Sequence, residues 1–196
     1  MKKKTTRITI MTTLVIVAVV SYYAYLSNRN MKSHEETIPT FVENTLSRNL
    51  ENNYPPTPKE VLRYYNEIQK CLYNEECTDE QLDSLILKVR ELYDRELLDN
   101  NSLEAQSLQI RQEIKLYKEK KRKITSMAVA SSANVIYDTI DGYEFAKLNC
   151  GYNVMEGNNN NPTTQVFLLR KDDERKWKIY GWKIMDDFQI SQNESE

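Results

Sequence analysis

The chain has a single histidine, three cysteines and four glycines among its 196 residues. One histidine removes the paired Cys/His spacings that zinc sites need, and His34 lies far from any other chemistry-bearing cluster. His34 lies in the predicted linker, which argues against a His-based triad or a Cys150/His34 pair, and no catalytic residues, metal ligands or cofactor are assigned. Few glycines and 13 tyrosines describe a folded domain rather than a low-complexity stalk. Charge is absent from one long stretch only, Ile8–Leu26.

That stretch organises the rest. Its uncharged residues span about 28 Å as a helix, close to the hydrocarbon thickness of a bilayer. Tyr22, Tyr23 and Tyr25 stand where a spanning helix places interfacial aromatics. Cleavage as a signal peptide would need small residues two apart, in an A-x-A pattern, just after the apolar core. Ala24 has Tyr22 at that position, and Val19/Ser21 is a weak pair. No cysteine directly follows, which excludes a lipoprotein anchor. Lys2, Lys3, Lys4 and Arg7 precede the segment, and Arg29 and Lys32 follow it more sparsely. This bias predicts a cytoplasmic N-terminus and an extracytoplasmic remainder, a single-pass protein of the cell membrane.

The first thirty residues hold five of the 27 basic and none of the 29 acidic side chains, so the exported part is mildly acidic. A general nucleic-acid binder carries the opposite balance, and no nucleic-acid partner is expected. Cys71 and Cys77 flank a predicted inter-helix turn. Export permits them to pair, and two separate thiols satisfy the same spacing.

The chain divides into a basic tip (1–7), a transmembrane helix (8–26), a linker (27–56), an extracytoplasmic domain (57–185) and an acidic tail (186–196). Within the linker, Phe41, Val42, Leu46 and Leu50 fall on one side of a short helix over 40–50. Thr57-Pro58-Lys59-Glu60 is a capping box with proline at the first helical position, and Thr78-Asp79-Glu80-Gln81 repeats the pattern. Behind them Val61, Tyr65, Ile68 and Leu72, then Leu82, Leu85, Ile86, Val89 and Tyr93, recur at helical spacing. Asp99–Ser102 ends the second helix and caps a third, whose stripe is Leu103, Ile110, Ile114 and Tyr117.

Past Lys123 the period changes to two. The spacing predicts an extended run over 124–139, though its first half also fits a helix. Asp141-Gly142 predicts a hairpin turn into a strand over 143–155. The Asn-rich stretch 156–162 reads as a loop, and 163–169 and 177–184 as the third and fourth strands. Trp177 and Ile179 share a parity that Trp182 and Ile184 lack. A bulge at Tyr180-Gly181 would restore all four to one core and bend the strand.

The fold class is therefore α+β, with three helices packed on a curved four-stranded antiparallel sheet. The element order and the closing WKIYGWKI strand resemble the nuclear-transport-factor-2-like superfold, a cone of helices wrapped by a bent sheet. Uncharacterised membrane-anchored proteins of Gram-positive bacteria share this plan. The resemblance implies a cone interior that holds an Asp or His base in some members and binds without catalysis in others. Usual members also place a strand before the third helix, which no segment here supplies by pattern.

Ligand-pocket candidates are Tyr137, Asp138, Tyr143, Tyr152, Trp177 and Trp182. A pocket lined by tyrosine and aliphatic groups should lie between the helices and strands 143–155 and 176–185. Asp138 beside Tyr137 or Tyr143 is the arrangement that acid/base chemistry would use, while Asp141-Gly142 is accounted for as a turn. Cys150 falls on the apolar parity and reads as a packed thiol. Lys115, Lys118, Lys120, Lys121, Arg122 and Lys123 form a basic run that complements a helix C-terminus and could meet an anionic surface or polymer. The functional expectation is a membrane-anchored, non-enzymatic binding or assembly domain of the bacterial cell envelope with an envelope-protein partner. The alternative is an exported enzyme of small-molecule acid/base chemistry.

Overall fold

The computed structural model describes residues 21–22 and 39–185. The chain divides into units Met1–Pro39 and Thr40–Glu196, and the second carries the described fold. The expected spanning segment lies outside the described residues apart from Ser21 and Tyr22, which are helical. Among the described residues no helix is long and apolar enough to cross a membrane. The tail 186–196 likewise lies outside them.

Between residues 41 and 119 run α1 (Phe41–Ser47), α2 (Pro58–Asn74), α3 (Asp79–Arg90), α4 (Arg95–Asp99) and α5 (Leu103–Glu119). Their starts follow local chemistry. Thr40 and Thr78 each accept from the backbone N–H three residues on, while Glu43 and Gln81 return to the cap N–H, making full capping boxes. At Thr57 the cap also forms, with Pro58 behind it. There the Glu60 carboxylate takes the Thr57 hydroxyl instead of the backbone N–H. Asp94 caps α4 and Ser102 caps α5.

The predicted linker is shorter than 27–56. α1 is part of the domain because Val42, Thr45 and Leu50 are buried against it, and the Tyr64 hydroxyl donates to the Thr45 carbonyl at 2.8 Å. Tyr54 reaches across to donate to the Trp177 carbonyl at 2.8 Å.

The sheet is antiparallel with five strands, correcting the expected four. These are β1 (Arg122–Val129), β2 (Ile136–Ile140), β3 (Tyr143–Glu156), β4 (Asn159–Lys171) and β5 (Trp177–Ile184). The run over 124–139 is broken by a 3₁₀ turn at Ser132–Asn134, so β1 and β2 pair with opposite ends of one side of β3. The spatial order is β1-β3-β4-β5. Asp141 and Gly142 turn β2 into β3 with φ of 51° and 83°, the double positive φ that a two-residue hairpin wants. The Asn-rich stretch is not a loop. Gly157, at φ 60°, and Asn158 make a two-residue turn, and Asn159–Pro162 already pair with β3. Successive ladder partners on β3 outweigh the low strand propensity of asparagine here.

The bulge in β5 is where parity requires it. Leu168 faces Gly181 and Leu169 faces Ile179, so Tyr180 is the extra residue. Trp177 and Ile179 are buried, but Trp182 keeps 41% and Ile184 61% of its surface. The bulge aligns all four on one face, and the helices cover only half of that row. The interior is filled rather than hollow. Tyr64, Phe167, Leu62, Ile68, Leu148, Leu169 and Ile179 are all fully buried there.

Beyond β5 the chain supplies a further rung. After α3, Tyr93 bridges Ile179 in parallel; Asp94 N–H donates to the Ile179 carbonyl and Ile179 N–H to the Leu92 carbonyl, both at 2.8 Å. The expected second helix through Tyr93 is thus split, because Leu92–Asp94 leave the helix to pair with the sheet.

Candidate functional site

The six pocket candidates do not converge. Tyr137 is 59% exposed on β2, with its ring 5.8 Å from that of buried Trp177. Trp177 is capped by Lys171, whose ammonium lies 5.0 Å from its ring centre. Asp138 is exposed on the opposite side of β2 and accepts from the adjacent Thr139 N–H at 2.8 Å. Tyr143, 50% exposed, lies against the Arg170 guanidinium at 4.9 Å. Trp182 belongs to a separate aromatic cluster with Tyr65, Tyr93 and Phe167, ring centres 5.8–6.1 Å away. The carboxylate and phenols named for acid/base work therefore face solvent, not a common cavity.

Tyr152 leads to the site that the structure does form. Its hydroxyl donates to Asn66 Oδ1 at 2.9 Å, and Asn66 Nδ2 donates to Cys150 Sγ at 3.2 Å. Cys150 is fully buried, as its parity predicted. Burial, then the neighbouring Cys150, raises the Tyr152 phenol above its ordinary value, so it stays a neutral donor. Asn66 is also buried, at the floor of a surface groove of about 740 Å³. Arg63, Asn66, Glu67 and Lys70 of α2 form one wall, residues 124–129 of β1 the other, and Phe41 closes an end. The helix wall is a polar stripe at spacings of three and four, which is one face of a helix.

The charges in the groove are only partly matched. Arg63 and Glu67 make no ion pair among the described residues, and Lys70 sits 5.0 Å from the Phe41 ring centre. At the groove's end Asn74 meets β1 directly. Its Nδ2 donates to the Ile124 carbonyl at 2.7 Å and its Oδ1 accepts from Ile124 N–H at 2.9 Å.

Half of the predicted basic run is spent within the fold. Lys118 pairs with Glu76 at 3.0 Å and Arg122 with Glu156 at 2.7 Å, while Lys115 stands 3.9 Å from Glu119. Lys120, Lys121 and Lys123 are exposed without ion pairs among the described residues, and Lys121 takes a φ of 49° at the turn into β1. All three thiols are free: Cys71 is buried, and Cys77 donates to the Cys71 carbonyl at 3.6 Å. Among the described residues no group of three or more His, Cys, Asp or Glu could hold a metal ion.

A second concavity, of about 470 Å³, runs over small side chains around Gly151, from Ser126 and Ala128 across to Pro162, Thr164 and Met185.

Sequence reasoning passed over the groove because it searched aromatic and acidic residues near the hairpin. The signal was present in Arg63, Asn66, Glu67, Lys70 and Asn74, polar positions that return to one side of α2 beside its apolar stripe.

Fold and groove together define an α+β domain whose helices cover one face of an antiparallel sheet and leave a cleft beside an edge strand. The chain belongs to the family described as "Domain of unknown function (DUF6715)", which matches residues 1–182. No curated protein matches it.

Proposed function

We propose that this protein is a single-pass, membrane-anchored binding domain of the bacterial cell envelope, non-enzymatic, with a cytoplasmic N-terminus and an extracytoplasmic domain that docks a partner in the α2/β1 groove. The observation that carries the reading is the groove itself. It is open and within the size range of ligand clefts, with main chain on one wall and a mixed polar stripe on the other. Such walls suit a peptide chain better than hydrolytic chemistry. The anchor rests on the uncharged length of Ile8–Leu26 and the basic residues before it, and the family match extends through that segment.

The same proposal includes a cone of the nuclear-transport-factor-2-like kind. Two helices, the Tyr93 rung on β5, a third long helix and a bulged antiparallel sheet support it. Lys120, Lys121 and Lys123 offer a secondary contact to an anionic polymer or surface, one that added salt would weaken.

Topology in intact cells is the test. Protease added outside should cleave the domain of residues 40–196, while the mature chain keeps Lys2–Lys4 and resists extraction from membranes. A protected domain, or a mature N-terminus between Tyr22 and Ser27, contradicts the anchored reading.

A further inference from the structure

In an antiparallel ladder alternate residues direct both N–H and C=O away from their partner strand. On β1 the phase is fixed at two places. Ile124 turns both groups away from β3 to the Asn74 amide, and Ala130 N–H bonds back to the Asn149 carbonyl at 2.9 Å. Between them Ile124 faces Val154 but Ser126 faces Asn153, so Thr125 is an extra residue in a bulge. Counting from either end, Met127 and Val129 are the outward residues. Among the described residues no strand pairs with this side of β1, and no hydrogen bond from outside the β1–β3 ladder reaches their four main-chain groups.

We propose that the free edge of β1 is a strand-addition site for an extended, acidic peptide segment of a partner protein, which pairs with Met127 and Val129 inside the α2/β1 groove. The proposal rests on reading that groove as the binding surface. Asn74 already shows that this edge accepts an amide as a strand would, at the first rung only. An added chain would continue from there, its N–H and C=O meeting Met127 and Val129 while alternate side chains point towards α2 and away from it. Arg63 and Lys70 stand against the lone carboxylate Glu67 on that wall, so a carboxylate on the incoming chain has cations to meet. Phe41 at the end of the groove offers an apolar contact.

The test uses the full-length chain in detergent micelles and a synthetic acetylated peptide of alternating valine and threonine flanked by aspartates. A lysine-flanked version is the control. Amide hydrogen exchange is followed residue by residue. With peptide at about ten times its dissociation constant, exchange at Met127 and Val129 should slow about tenfold, since only the unoccupied fraction exchanges. Ala128, whose N–H belongs to the β3 ladder, should not change. Arg63→Glu with Lys70→Glu should weaken the aspartate peptide several-fold and leave the fold intact, because both side chains are exposed. Equal affinity for the lysine peptide would overturn the assigned charge. Binding that shifts Phe41 and Glu67 without slowing Met127 and Val129 overturns strand addition and leaves the groove as a docking surface. If both amides are already slow in the free chain, the edge is filled by the chain's own tail or a second copy, and the partner proposal falls. Failure of the anchor is read separately, in the protease experiment on cells.

Discussion

The two long edges of the sheet are finished in different ways. At β5 the edge is closed over its first half, at Trp177 and Ile179. Leu92–Asp94 adds a rung against Ile179, and Arg170 fixes it by donating from Nη2 and Nε to the two oxygens of Asp94 at 2.6 and 3.0 Å. Burial works against the guanidinium charge, but Asp94 and Glu96 outweigh it and hold Arg170 above its ordinary value. Tyr143 and Tyr180 stack on it at 4.9 Å, and the Tyr180 hydroxyl donates to Glu96 at 2.8 Å. At β1 one asparagine covers one residue, and the rest of the edge opens into a groove. Exposed edges are a liability that folds usually blunt. A domain that braces half of one edge with a buried ion pair and leaves the other beside a cleft has its docking capacity on the cleft side.

The closed edge is the more costly to break. Asp94→Ala takes the bidentate partner from the largely buried Arg170 and leaves it only Glu96, and should lower unfolding free energy by about 3 kcal/mol in urea titration. A loss as small as that of an exposed pair would mean that the rung is held by Ile179 alone. At the open edge Asn74→Ala removes two hydrogen bonds from Ile124 and should cost about 1–2 kcal/mol. Both substitutions can be compared in one denaturant series, and similar losses would erase the contrast between the edges.

Thr57→Ala tests the helix that walls the groove. The cap bond to Glu60 N–H should be worth about 1 kcal/mol, and an unchanged denaturant midpoint would place the start of α2 elsewhere. The remaining effect is that of pH. Burial pushes the Cys71 thiol, packed under α1, from 9.0 up to about 11. The neutral thiol is favoured in the fold, so its stabilisation is complete below pH 9 and lost as pH rises towards 11. The denaturant midpoint should fall across that window, and less steeply in Cys71→Ala. A midpoint rising with pH would contradict the sign.

The legible parts of the fold were those written locally. Capping residues set the helix starts, and Asp141-Gly142 set a turn whose backbone φ values only a few residue types accept. The parity clash between Trp177/Ile179 and Trp182/Ile184 required a bulge, and Tyr180 supplies it. What local pattern could not carry was long-range. Tyr93 reads as the last position of an apolar helical stripe, yet its backbone pairs with a strand some eighty residues on. The asparagines at 158–161 favour turns by propensity, and the β3 register pulls Asn159–Asn161 into a strand. The groove follows from the same limit. Whether β1 is an edge depends on where β2, β4 and β5 go, and no residue of β1 states it.

The contrast between the edges is read most directly by native-state amide exchange on the unliganded full-length chain. The account predicts that Asp94 and Ile179, paired across the closed edge, exchange only through substantial opening of the domain. Met127 and Val129 should exchange near the rates of unprotected amides. Protection of Met127 and Val129 equal to that of Ile179 would show that the β1 edge is not open, and would contradict the account.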